Sequence, residues 1–111
     1  MAYEVCITPR AAHEHEEAIA YLAHDLHAPQ AAASLATALQ NVVEVLEMLP
    51  FAYPTSFDIS TVIGQEVRYA TFKNHLAFYI VERERKRVVV FSIMHMLQNA
   101  TAHVPDDYQL Q

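Results

Sequence analysis

The sequence predicts an α+β domain. An N-terminal strand is followed by an antiparallel two-helix hairpin and then a three-stranded antiparallel meander, forming one sheet with the helices packed on one face. Three observations lead there. Apolar residues recur at helical spacing from residue 9 to residue 49, with one short break at Ala28-Pro29. From Glu66 onward the pattern changes to three runs rich in Val, Ile, Phe and Tyr, separated by polar turns. The chain has 111 residues, 53% of them hydrophobic with a single Gly, so it holds enough apolar material for one core and too little for two; residues 1–111 are expected to form a single domain.

Tyr3 to Thr8 alternates and carries β-branched residues, so it reads as a short strand. Thr8-Pro9 supplies an N-cap and a proline at the first helical position, which starts a helix there. Ala12, Ile19, Leu22, Ala23 and Leu26 recur at spacings near three and four, and Glu14, Glu16 and Glu17 sit in the early turns, where the helix dipole favours acids. This helix is expected to end near His27. Gln30 to Leu49 follows as a longer helix with Leu35, Leu39, Val42, Val43, Leu46 and Leu49 on one stripe. The connection is so short that the two helices must run antiparallel.

Pro50 and Pro54 stop the second helix and open an irregular crossing, expected to last until about Ile63. Strands are predicted over Glu66 to Phe72, His75 to Glu82 and Arg87 to Met94. After His95, Met96 to Ala102 is expected to form a short helical turn before an acidic tail.

No apolar run approaches the roughly 20 residues of a membrane span. The N-terminus lacks the pattern of a secretory leader, so a cytoplasmic location is expected and no membrane partner. The single Cys6 lies in the strand alternation and reads as an ordinary strand thiol. The formal net charge of −6 hides a segregation. Residues 1–58 hold eight acids and only Arg10 as a base, whereas Gly64 to Arg87 holds Arg68, Lys73, Arg83, Arg85, Lys86 and Arg87 against Glu66, Glu82 and Glu84. One end of the fold is therefore expected to be basic.

Several motifs in succession carry a resemblance. They are Thr8-Pro9-Arg10-Ala11-Ala12, the helix end Tyr21-Leu22-Ala23-His24-Asp25-Leu26, Ala28-Pro29-Gln30-Ala31-Ala32, and Leu46 to Pro50 with Pro54. Gly64, Val67-Arg68, the run His75 to Val81 and a final strand Val88 to Met94 closing on His95 complete the series. In this order the chain resembles the RelE/ParE superfamily over nearly its whole length. The resemblance implies the toxin component of a type II toxin-antitoxin (plasmid stabilisation) module, which inhibits growth and is neutralised by a cognate antitoxin. The RelE type cleaves mRNA on the ribosome; the ParE type shares the fold and inhibits DNA gyrase.

Three readings follow. The first is a ParE-like toxin that acts by binding its target. Leu76 and Gln98 stand where RelE-like nucleases carry Arg, and a net acidic chain is a poor match for a polyanion. The second is an mRNA endoribonuclease with His95 as acid or base and Arg68 and Lys73 as cations; Glu66 and Arg68 alternate onto one strand face and could pair beside His95. The bland counterparts are a strand-end His that caps backbone groups and a surface ion pair. The third is a relative that has lost toxicity and persists as an interaction domain. Lys73, His75, Arg83, Arg85 and Arg87 are the candidates for receiving an acidic antitoxin segment or the target. His13 and Glu17 at i,i+4, and His24 and His27 at i,i+3, lack the further ligands a metal needs, so neither a metal nor any other cofactor is expected.

Overall fold

The computed structural model describes residues 2–98. Its elements are β1 (Glu4–Ile7), α1 (Pro9–Ala20), α2 (Pro29–Met48), α3 (Phe57–Ile63), β2 (Arg68–Phe72), β3 (His75–Glu82) and β4 (Arg87–His95). Thr8 caps α1 as the sequence predicts: its backbone is extended, and its hydroxyl accepts from the Ala11 N–H at 3.2 Å. After Ala20 the helix widens into a π-turn over Tyr21–Asp25, with the Leu26 N–H reaching back to the Tyr21 carbonyl. His27 then takes a left-handed backbone (φ 49°) and the chain reverses into α2. On α2, Leu35, Leu39, Val42 and Leu46 are buried as the stripe requires, while Leu49 lies beyond the helix and is exposed.

The four strands form one sheet in the order β1-β4-β3-β2. β2, β3 and β4 are the expected antiparallel meander, and β1 runs parallel to β4 at its edge, so the sheet is mixed. Lys73 and Asn74 both have positive φ (48° and 65°), the geometry of a two-residue turn that keeps the twist of the flanking strands. Phe78 faces Ser92 while Tyr79 faces Val90, so Phe91 is an extra residue that bulges β4.

The bulge resets the alternation. Val88, Val90 and Ile93 enter the core with Ala11, Leu35, Leu39, Val42 and Leu46, which is the face covered by α1 and α2. Val89, Phe91 and Met94 enter a second cluster on the opposite face with Ile59, Val67, Phe78 and Ile80. The expected irregular crossing is therefore only partly irregular. Its second half is α3, capped by the Ser56 hydroxyl on the Ile59 N–H at 3.3 Å and ended by Gly64 at φ 89°. This short helix packs Ile59 against the second face, opposite the one on which the α1–α2 hairpin lies as expected. Of the helical turn expected over Met96 to Ala102, the chain turns at Met96 and Leu97; residues from Asn99 on lie outside the described part. Among the described residues no helix is long and apolar enough to cross a membrane.

Candidate functional site

A groove of about 810 Å³ opens between the helical hairpin and the far end of the sheet. Ala18, Tyr21, Leu22 and Leu26 form one wall and Ala31, Ser34 and Leu35 the other; Ile93, Met94 and His95 of β4 and Lys73 to His75 of the β2–β3 turn close it below. Tyr21, which opens the π-turn, and Leu26, which follows it, line this opening and are 53% and 52% exposed.

The strand end beside the groove is fastened by side chains. β1 pairs with β4 only as far as Val90, so among the described residues the outer edge of β4 beyond that point has no strand neighbour. Glu14 of α1 takes up part of it, accepting from the Ile93 N–H at 3.0 Å. Gln98 Oε1 accepts from the His95 N–H at 2.9 Å, and His95 Nδ1 accepts from the Leu97 N–H at 3.1 Å. The His95 imidazole thus caps the turn after β4, and in its neutral form the proton sits on Nε2.

His75 stands directly across the ladder from His95, their rings edge to face at 5.1 Å. Its Nδ1 lies 2.9 Å from the Lys73 carbonyl oxygen, which can only accept, so Nδ1 carries the proton and Nε2 is left as acceptor. The ring also stacks on Phe72, which in turn contacts His15 of α1. Burial holds the His15 imidazole below the ordinary histidine range, the nearby His75 adds to this, and Glu16 opposes it. Among the described residues no partner reaches the buried His15 Nδ1. The sequence reading passed over His15, although it lies four residues after Ala11 and four before Ile19, on the buried stripe of α1.

Arg68 and Glu66 are not beside His95. Arg68 on β2 faces Tyr79 across the ladder and His95 on β4 faces His75, four residues away along β3 and two strands over, a separation on the order of 15 Å. The expected pair does form, Arg68 Nη2 to Glu66 Oε2 at 3.6 Å, but as a local contact. Arg68 Nη1 donates to the Tyr53 carbonyl at 2.7 Å and to the Phe51 carbonyl at 3.3 Å. Next to it the buried Tyr79 hydroxyl donates to the Pro50 carbonyl at 2.8 Å, and burial pushes its pKa up to about 12. Two side chains from neighbouring strands thus hold the crossing that follows α2.

The remaining cations do not share one surface either. Lys73 and His75 lie at one end of β3 and Arg83 to Arg87 at the other, roughly 20 Å apart along the strand. This corrects the expectation of a single basic end that joins both hairpins. Arg87 is bound to Glu82 at 2.6 Å, and that hydrogen bond lowers the Glu82 pKa. Arg83 and Arg68 both lie over the Phe51 ring, at 4.4 and 5.1 Å from its centre, and Lys86 lies over Tyr3. His13 and Glu17 pair at 3.4 Å on the exposed face of α1. Among the described residues no three His, Cys, Asp or Glu side chains are grouped as a metal ion would need.

A comparison with curated proteins finds none that matches. A family model does: residues 5–100, from β1 past the end of β4, match the one described as ParE toxin of type II toxin-antitoxin system, parDE. Covering most of the chain and agreeing with its element order, that match makes this protein a member of the ParE toxin family.

Proposed function

We propose that this toxin arrests growth in the cytoplasm by binding DNA gyrase, not by cutting RNA, and that a cognate antitoxin silences it by filling the groove beside the helical hairpin, as in a plasmid-stabilising module. The observation that carries the choice is the separation of His95 from Arg68 and Glu66, the cation and acid expected to work with it. RNA cleavage through the 2′-hydroxyl needs a base, an acid and a cation around one phosphate. Here Arg68 is committed to two backbone carbonyls and Glu66 to Arg68, about 15 Å from His95, whose Nδ1 is occupied by the Leu97 N–H. Binding requires no such convergence, and the groove offers apolar walls that a partner segment would bury.

The strongest feature in favour of the nuclease is the His75 and His95 pair, which among the described residues presents an acceptor nitrogen and an N–H without a partner, with Lys73 alongside. Induction of the chain alone, with supercoiling and mRNA integrity followed in parallel, separates the readings. Arrest with intact mRNA and lost supercoiling is the expected result. Arrest with cleaved mRNA that His75→Ala or His95→Ala abolishes would replace it by the nuclease, and absence of arrest would leave a non-toxic interaction domain.

A further inference from the structure

Beyond Arg10 in its first turn, the helical hairpin that walls the groove carries no Lys or Arg. Between Arg10 and Arg68 the chain contains no Lys or Arg at all, while residues 11–49 hold Glu14, Glu16, Glu17, Asp25, Glu44 and Glu47. Glu14 and Glu17 line the groove itself. Among the described lining residues Lys73 is the only Lys or Arg, and it stands on the opposite side, at the β2–β3 turn. The cations that could attract an acidic segment lie mostly at the other end of β3, and of these Arg87 is paired with Glu82 and Arg83 is laid over Phe51. A partner that fills the groove therefore meets apolar side chains in the middle and carboxylates along the α1 edge.

From this we infer that the groove's occupant is an amphipathic segment of the partner protein with a cationic flank: apolar side chains enter between Leu22, Leu26 and Leu35, and Lys or Arg residues run beside Glu14 and Glu17. The inference rests on the antitoxin reading above and gives that partner a sign, opposite to the acidic segment expected from the sequence. Two features favour it. The whole chain is at −6, so long-range steering also selects a positive partner. The Glu17 side chain is 69% exposed, and its contact with His13 becomes an ion pair only when that ring is protonated, so its charge is open to a newcomer. The length fits as well: from Glu14 to Leu26 the wall runs roughly 18 Å, about three turns of a docked helix.

The test uses the purified full chain and two labelled synthetic peptides with one apolar pattern, carrying Lys in one and Glu in the other at the polar positions. Anisotropy at low salt is expected to give the Lys peptide roughly tenfold or more tighter binding, a preference that shrinks as salt is added. Glu17→Lys should erase most of that preference without unfolding the domain, since the site is exposed. Ala31→Trp, which fills the groove from an exposed position on α2, should abolish binding. Equal affinity, preference for the Glu peptide, binding of neither, or a preference untouched by Ala31→Trp would each overturn the inference. The antitoxin reading is checked separately by co-expression with the product of the adjacent gene. If that protein co-purifies and Ala31→Trp releases it whatever the peptides do, the sign is wrong and the antitoxin reading stands. If Ala31→Trp leaves the complex intact, the groove reading itself falls.

Discussion

Replacing Arg68 by Ala separates a structural arginine from a functional one. The side chain is 18% exposed, and its Nη1 reaches two carbonyls of the crossing after α2, at 2.7 Å and 3.3 Å. A hydrogen bond from a charged donor contributes about 1.5–3 kcal/mol, and the shorter, part-buried bond to Tyr53 belongs in that range. The longer one to Phe51 is exposed and adds little. The ion pair to Glu66, at 3.6 Å with Glu66 itself 55% exposed, contributes about 0–1 kcal/mol. Arg68→Ala should thus cost about 2–3 kcal/mol, which for a domain of this size lowers Tm by roughly 10 °C. Urea or thermal unfolding followed by circular dichroism measures it. Growth arrest should weaken in step with stability and return when cultures are induced at a temperature where the variant is folded. A variant that melts within about 2 °C of the parent yet has lost all toxicity would refute the reasoning, because Arg68 would then act on the target and not on Phe51 and Tyr53.

Three further outcomes follow from the same contacts. Tyr79→Phe removes the hydroxyl that satisfies the Pro50 carbonyl in a buried site and should cost about 1–2 kcal/mol in urea unfolding with no change in secondary structure. Leu46→Ala empties a fully buried position between α2 and the sheet, and should cost about 2–5 kcal/mol in urea unfolding. The His15 pKa is lowered below 6.5 in the folded state, so the unfolded chain takes up its proton first as pH falls. Stability from this group is intact above pH 6.5 and declines from there down to the lowered folded value; His15→Gln should flatten that part of the stability profile measured by urea titration.

Local chemistry made most of the architecture legible. Thr8-Pro9 marks the start of α1 by two independent signals, and the β3 bounds follow from its apolar run, because both depend on residues adjacent in sequence. The helix α3 carried the same kind of mark: Ser56 as cap, Asp58 in the first turn and Gly64 as the left-handed end. Two prolines just upstream outweighed them in the sequence reading, and Phe57, 81% exposed, breaks the apolar periodicity that would have argued for a helix. The π-turn had no such signal, since Tyr21 to Asp25 suits an ordinary α-turn equally well.

The site was less legible, because its geometry depends on pairings between distant elements. Strict alternation along β4 would carry the face of Val88 and Val90 on to Ser92 and Met94. The extra residue Phe91 hands that face to Ile93, and His95, two residues on, follows it onto the side where the hairpin and the groove lie. One inserted residue therefore decides that His95 meets His75 and caps a turn beneath the groove. The role of Arg68 was hidden for a related reason. Its acceptors are backbone carbonyls 15 and 17 residues away, and any residue at positions 51 and 53 would supply them. Sequence patterns register side-chain chemistry, so they offered Arg68 as a cation beside Glu66, either catalytic or in a surface ion pair, and left its hold on the crossing unseen. The charge of the hairpin, by contrast, needs no pairing at all: an interval from Arg10 to Arg68 without a single Lys or Arg was present in the sequence, and it gained meaning once the fold made that interval the wall of a groove.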